Sequence, residues 1–298
     1  MVVGIITFPL FRLIIICSEI FYNINFALMT FNRKRIIGWI KIILLVYAII
    51  GIAFFYFQDK ILFHPQKLAA DYQYKFKGPV EEINIPFNET DTMNIVKFLP
   101  DSVPVKGVVI YYHGNMKNIA HYANFVAPFL KLGYEVWMED YPGFGKSTGI
   151  ITEQKLYDQA LQVKKLADAK FDSDSIIIYG KSLGTGIAAN VATRTKAKML
   201  ILETPYYSIP SLFSSYAFMY PNEQMSNYKL TTNLFLQDVT CPVIIFHGTS
   251  DGVIPYRNAR KLLSVLKPTD KFITVEGASH NNVNANPIYF NAIDSLLR

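Results

Sequence analysis

The sequence predicts an α/β fold: a mostly parallel sheet flanked by helices, with a small helical cap, preceded by an N-terminal transmembrane anchor. Three observations lead there. From about residue 79, short runs of β-formers alternate with amphipathic stretches, the pattern of a parallel sheet covered on both faces. Residues 36–57 form one apolar run of bilayer-spanning length. The residues best suited to nucleophilic and acid–base chemistry fall just after strands, where open parallel sheets carry their sites.

Taken in chain order, residues 1–35 are an N-terminal extension with a basic flank. Within it, residues 1–28 read as a second span, as an interfacial helix, or as sequence upstream of a real start at Met29. The last is favoured, because Met29-Thr30-Phe31-Asn32-Arg33-Lys34-Arg35 opens a conventional anchor. The 22 residues 36–57 would span about 33 Å as a helix. Lys41 lies near one end, where its stem can carry the ammonium to the headgroups. Arg33, Lys34 and Arg35 precede the run and Asp59-Lys60 follow it. The positive-inside rule then sends residues 60–298 to the non-cytoplasmic side. A cleaved signal peptide fits less well, since the run is long and lacks a small-residue cleavage site.

The globular domain, residues 60–298, opens with an antiparallel pair at 82–86 and 94–99. A strand at 105–112 leads into a helix around 119–132, and a strand at 134–139 into a Pro/Gly loop and a helix at 153–171. A strand at 175–179 and a helix through Thr195 bracket the turn at Ser182. Strands at 198–203, 242–247 and 271–275 and helices at 257–266 and 287–297 complete the pattern. The alternation fails at about 205–239, which is rich in aromatics (Tyr206, Tyr207, Phe213, Tyr216, Phe218, Tyr220, Tyr228, Phe235). That stretch reads as the cap, its aromatics either lining an acyl pocket or packing the cap onto the sheet.

Charge and composition narrow the function. Residues 1–77 hold nine Lys/Arg against three Asp/Glu, while residues 78–298 hold twenty of each. The net charge of +6 therefore flanks apolar runs instead of covering a folded face, which points to a membrane and away from nucleic acid. The two cysteines, Cys17 and Cys241, imply no disulfide framework, and no two of the five histidines stand at metal-ligand spacing. No metal and no cofactor is expected.

The sharpest local signal is Gly180-Lys181-Ser182-Leu183-Gly184, where a β-run gives way abruptly to a helix-like stretch of small residues. A serine nucleophile requires this strand–turn–helix setting, with glycines on either side where a Cβ would obstruct the strained dihedrals of a sharp turn, and with its Oγ lifted above the sheet beside the first helical amides. Gly145-Lys146-Ser147-Thr148-Gly149 fits the same pentapeptide, but a Pro/Gly loop precedes it in place of a strand. Neither Gly-Lys-Ser is a phosphate loop, since Ser175 and Asp140 stand where that motif needs glycine.

A serine needs a base, and the base needs a carboxylate. His280, between the last strand and last helix, is the candidate base, and Asp251, directly after the 242–247 strand, the candidate acid. The order Ser182, Asp251, His280 matches a strained-turn nucleophile hydrolase. Glu203 is the rival acid; Asp140 reads as structural, as do His113 and His247 before glycines, with His121 in a helix and His64 beside the anchor. The candidate oxyanion donors are the backbone amides of Leu183 and Asn115, with Met116 as substitute for the latter.

Four segments, His113-Gly114-Asn115, the run Asp140–Gly149, Gly180–Gly186 and Phe246–Asp251, together with Phe63-His64-Pro65 after the anchor, resemble the α/β-hydrolase superfamily over about residues 60–298. Within it the chain is similar to membrane-anchored α/β-hydrolase-domain serine hydrolases, relatives of depalmitoylating thioesterases and of serine aminopeptidase-like hydrolases. The resemblance implies ester or thioester cleavage without metal or organic cofactor. The expected partners are the lipid bilayer and an acyl ester or thioester, whether lipid or lipidated protein. A serine peptidase of the same fold and a non-catalytic membrane-tethered binding protein are the alternatives.

Overall fold

The computed structural model describes residues 33–298; the expectations for residues 1–28 fall outside the described residues. The chain divides into two compact units, with the boundary in sequence between Phe54 and Phe55. Helix α1, Arg33–Leu62, is continuous through the whole 36–57 run. It is long and apolar enough to cross a membrane. Trp39, Leu44, Leu45, Ile49 and Ile52 are each more than half exposed. A helix apolar on all sides belongs in a protein core or in lipid, and only 6% of its most apolar stretch is buried.

The second unit, Phe55–Arg298, is built on an eight-stranded sheet. Its strands are β2 (Val80–Pro86), β3 (Thr92–Phe98), β4 (Gly107–Tyr112), β6 (Tyr134–Glu139), β7 (Ile176–Lys181), β8 (Met199–Glu203), β9 (Val243–Gly248) and β10 (Lys271–Val275). Their order across the sheet is β10-β9-β8-β7-β4-β6-β3-β2. β2 and β3 run antiparallel, β3 is antiparallel to β6, and the remaining neighbours are parallel. Every residue of β4, β6, β7, β8 and β9 is buried. This is why those strands read as near-continuous apolar runs, whereas the edge strand β2 has no fully buried residue and mixes polar with apolar positions.

The helices follow the sequence reading in part. Helix α4, Glu153–Asp168, starts at Thr152, whose Oγ1 accepts from the Lys155 amide at 3.2 Å. The helix expected around 119–132 is instead α2 (Ile119–Tyr122), a 3₁₀ turn and α3 (Ala127–Lys131). Pro128 sits in the first turn of α3, the place where its missing N–H breaks no helical bond, so the helix restarts there. Helix α5, Gly184–Arg194, packs on β7. Between β8 and β9 lie three short helices, α6 (Ile209–Ser214), α7 (Asn222–Met225) and α8 (Thr232–Asp238). The expected helix at 257–266 is α9 (Tyr256–Ala259) followed by a 3₁₀ segment, and α10, Pro287–Leu297, closes the chain. A two-residue parallel pair, β1 (His64–Pro65) with β5 (Met116–Lys117), has no counterpart in the sequence reading.

The core beneath the sheet's C-terminal ends is aromatic. Tyr111 and Tyr179 stack at 4.7 Å, Phe129 meets Tyr179 edge-on, and Phe246 meets Tyr289 at 4.9 Å. The second Gly-Lys-Ser lies in the loop between β6 and α4 and is tied down there. Ser147 Oγ accepts from the Asn94 amide at 2.9 Å, and the side chain is buried. Ser147→Ala should therefore leave a buried N–H unsatisfied and lower stability by about 1–3 kcal/mol, measured by chemical unfolding of the full chain.

Candidate active site

The turn after β7 is held from both sides. Ser182 has φ +52°, a left-handed conformation that costs a residue with a Cβ about 1–3 kcal/mol and persists only where the surroundings enforce it. Here its amide donates to Glu203 O at 2.9 Å. Its carbonyl accepts from Thr185 N at 3.0 Å and Thr185 Oγ1 at 2.6 Å. The flanking glycines serve a different purpose from the strain. Neither has positive φ. A Cβ on Gly184 would lie 2.1 Å from Tyr112 O, and one on Gly180 would lie 2.6 Å from Gly184 O. They are glycines because backbone passes there, bringing the start of α5 against the end of β4.

Asp251 and His280 come from the loops after β9 and β10, which are fastened together. Ser250 N donates to Ala278 O at 3.0 Å, Thr249 N to Val275 O at 3.2 Å, and Gly277 N to Thr249 Oγ1 at 2.9 Å. Gly248 permits this approach, since a Cβ there would meet Ala278 O at 2.1 Å. Asp251 Oδ1 accepts from the amides of Val253 and Ile254, both at 2.8 Å. Its Oδ2 lies 2.8 Å from His280 Nδ1, and His280 Nε2 lies 2.9 Å from Ser182 Oγ. A carboxylate only accepts, so the imidazole proton sits on Nδ1 and the Nε2 lone pair faces the serine hydroxyl.

The family profile described as serine aminopeptidase, S33, matches residues 103–234. The lysophosphatidylserine lipase ABHD12 of Macaca fascicularis is 30% identical over 185 residues, 55% of this chain and 46% of that protein. The human alpha/beta hydrolase domain-containing protein 17B is 27% identical over 225 residues, 72% of this chain and 74% of the relative. An esterase structure from Pyrococcus furiosus superposes with a TM-score of 0.63 at 16% identity, covering 79% of this chain and 96% of its own. The chain has the α/β-hydrolase fold. The match to the ABHD12 lipases spans about half their length. Est1E of Butyrivibrio proteoclasticus, solved with ferulic acid bound, shares the fold at a TM-score of 0.59 and 21% identity, over 72% of this chain and 97% of that one.

Within this hydrolase fold the other candidates occupy distinct places. The Glu203 carboxylate accepts from Tyr179 OH at 2.5 Å and from Lys181 Nζ, and Tyr179 OH in turn contacts Tyr289 OH at 2.9 Å. Lys181 and Tyr179 lie together on β7, on the sheet face opposite α5, and hold Glu203 there. Asp140 accepts from Ile119 N at 2.8 Å and Tyr74 OH at 3.1 Å. The His113 ring stacks on Tyr122 with its Nδ1 2.7 Å from Gly114 O. His247 makes the same contact with Gly248 O at 3.0 Å and lies 3.7 Å behind Asp251. His64 belongs to β1 and the half-buried His121 to α2.

Leu183 N–H and Asn115 N–H, at the start of α5 and in the β4–α2 loop, have no acceptor among the described residues. Met116 N–H differs, pointing at Tyr122 OH at 3.4 Å. Sequence reasoning missed what fixes this loop. Asn115 O accepts from His64 N at 2.9 Å, and Asn115 Nδ2 donates to Leu62 O at 2.7 Å. Asn118 Nδ2 donates to Gln66 O at 3.0 Å. Among the described residues no group of three or more His, Cys, Asp or Glu could hold a metal.

Three of these groups make stability depend on pH. Burial pushes Asp251 up, but the hydrogen bond and charge of His280, the Ile254 amide and the charge of His247 outweigh it, leaving the carboxyl below its ordinary value. Burial pushes the His247 ring down, with Asp251 and Gly248 only partly offsetting it. Half-buried His121 is lowered too. A histidine lowered in the folded state takes up protons preferentially when unfolded, so stability declines as pH falls below about 6.5. A depressed carboxyl adds a second decline below about pH 4. Thermal melts across pH should show both limbs, with His247→Gln reducing the slope of the first.

Proposed function

We propose that the chain is a membrane-anchored serine hydrolase that cleaves carboxylic ester or thioester bonds through an acyl-enzyme. The observation that carries this reading is the unbroken hydrogen-bond chain from Asp251 through His280 to Ser182 Oγ. Ser182 Oγ attacks the acyl carbonyl carbon while its proton passes to His280 Nε2. Asp251 orients the ring and stabilises the imidazolium. The carbonyl oxygen, now an oxyanion, takes hydrogen bonds from Leu183 N–H and Asn115 N–H. Collapse breaks the C–O or C–S bond, and His280 returns its proton to the leaving alcohol or thiol. Water then gives a proton to His280 and attacks the acyl-enzyme, which releases the acid and restores Ser182.

The substrate class follows from position. An anchor at 36–57 would keep the enzyme beside lipid, and the basic residues 33–35 support a non-cytoplasmic side for the 60–298 domain. Residues 205–239 act as a cap, joined to the acid loop by Tyr216 OH, which donates to Gly252 O at 3.1 Å and Val253 O at 2.8 Å. Phe218 and Met219 stand 80% and 57% exposed on that cap, suiting it to acyl chains presented from a bilayer. Lysophospholipids and S-acylated proteins are the substrates that combine an acyl bond with such a location. The serine aminopeptidase profile supports a peptidase as second reading; a panel of aminoacyl amides and peptides cleaved faster than any ester would select it.

Three experiments test the hydrolase reading. A fluorophosphonate should label wild type and Ser147→Ala equally and leave Ser182→Ala unlabelled, and Asp251→Asn should lower kcat by about 10⁴. Turnover of p-nitrophenyl esters in detergent should rise with acyl length from acetate to a long chain; turnover of short esters with none of long-chain ones would refute a lipid substrate.

A further inference from the structure

The end of α1 and the segment after it are stitched into the second unit at two places beside the site. Gln58 is fully buried. Its Nε2 donates to Met225 O at 3.0 Å and its Oε1 accepts from Asn227 N at 2.7 Å, so one amide side chain clasps the backbone between α7 and α8. Phe63, also buried, meets Tyr228 of the same stretch edge-on at 4.9 Å. Four residues after Gln58, the carbonyl of Leu62 ends the helix. The last carbonyls of a helix lack partners within it, and here Asn115 Nδ2 supplies one at 2.7 Å. His64 N and Gln66 N then donate to Asn115 O and Lys117 O, both at 2.9 Å.

Asn115 is thus gripped through its side chain and its carbonyl while its own N–H stays open. A peptide unit whose flanking groups are both held has little freedom left. An oxyanion donor has to be held in this way, since its value lies in being fixed before charge develops. We propose that the segment Gln58–Gln66 positions the oxyanion donor, and that the Asn115 side chain is the positioning group joining it to the site. The segment just past the membrane-spanning run is then a working part of the catalytic machinery as well as a tether. This inference rests on the reading of Asn115 N–H as an oxyanion donor.

The test uses the full chain in phosphatidylcholine proteoliposomes. Asn115→Ala removes the Leu62 contact and keeps the backbone N–H; Asn115→Asp keeps the shape and replaces the donor with a carboxylate facing a carbonyl. Rates are expressed per active site, titrated to completion with a fluorophosphonate, so misfolded molecules do not count. Both variants should lose about 10- to 100-fold in kcat, with KM within about twofold. The Ki of a trifluoromethyl ketone, which forms a tetrahedral oxyanion adduct, should rise in proportion to the fall in kcat/KM. Unchanged kcat and Ki per titrated site in both variants, or a fall in rate with Ki unmoved, would overturn the positioning role while leaving the serine mechanism intact. Hydrolysis surviving in Ser182→Ala would instead overturn the mechanism, and this inference with it.

Discussion

The approach of helix α5 to the end of β4, so close that a single methyl group on Gly184 would sit 2.1 Å from Tyr112 O, governs the rest of the site. Two separate segments, the turn bearing Ser182 and the loop bearing Asn115, share one small volume only because no side chain separates them there. The left-handed backbone of Ser182 is affordable under the same condition. Its amide and carbonyl are both hydrogen-bonded, to Glu203 O and to Thr185, so the surroundings enforce what the residue alone would avoid. A comparable contact at Gly248 brings the histidine loop onto the aspartate loop. The two halves of the constellation are thus each built on backbone-to-backbone proximity and meet at one side-chain hydrogen bond, between His280 Nε2 and Ser182 Oγ.

Much of this was legible in the sequence, for identifiable reasons. The central strands read as apolar runs because both of their faces are covered, and the break at Gly180–Gly184 is visible because strand periodicity stops within one residue. Ser182, Asp251 and His280 stand out as residue types at strand ends in a telling order. The distances between them, across 98 and 29 residues of chain, are a property of the folded sheet alone. The duplicate at Ser147 shows how little a pentapeptide says without its strand: the same pattern there folds into a loop where the hydroxyl serves the backbone of β3.

What was not legible is equally specific. The pairing of β1 with β5 involves two residues on each side and has no periodicity to announce it. Gln58 looks like one polar residue at the end of an apolar helix, and only the fold shows it buried with both ends of its amide engaged. The uninterrupted helix expected at 119–132 ignored Pro128, whose restart of α3 shortens each piece. The glycines of the pentapeptide were legible as necessary, but the cause is proximity, and the unusual dihedral belongs to the serine between them.

The lysine inside that pentapeptide gives the strand end a second face. Lys181 and Tyr179 turn away from α5 and engage Glu203 on the neighbouring strand β8, which also holds the Ser182 amide through its carbonyl. One residue of β8 therefore braces the turn by backbone on one side and by side chain on the other. The consequence is a keystone: three buried side chains that stand outside the hydrogen-bond chain of Ser182, His280 and Asp251 tie the end of β7 to β8 on the face of the sheet opposite α5.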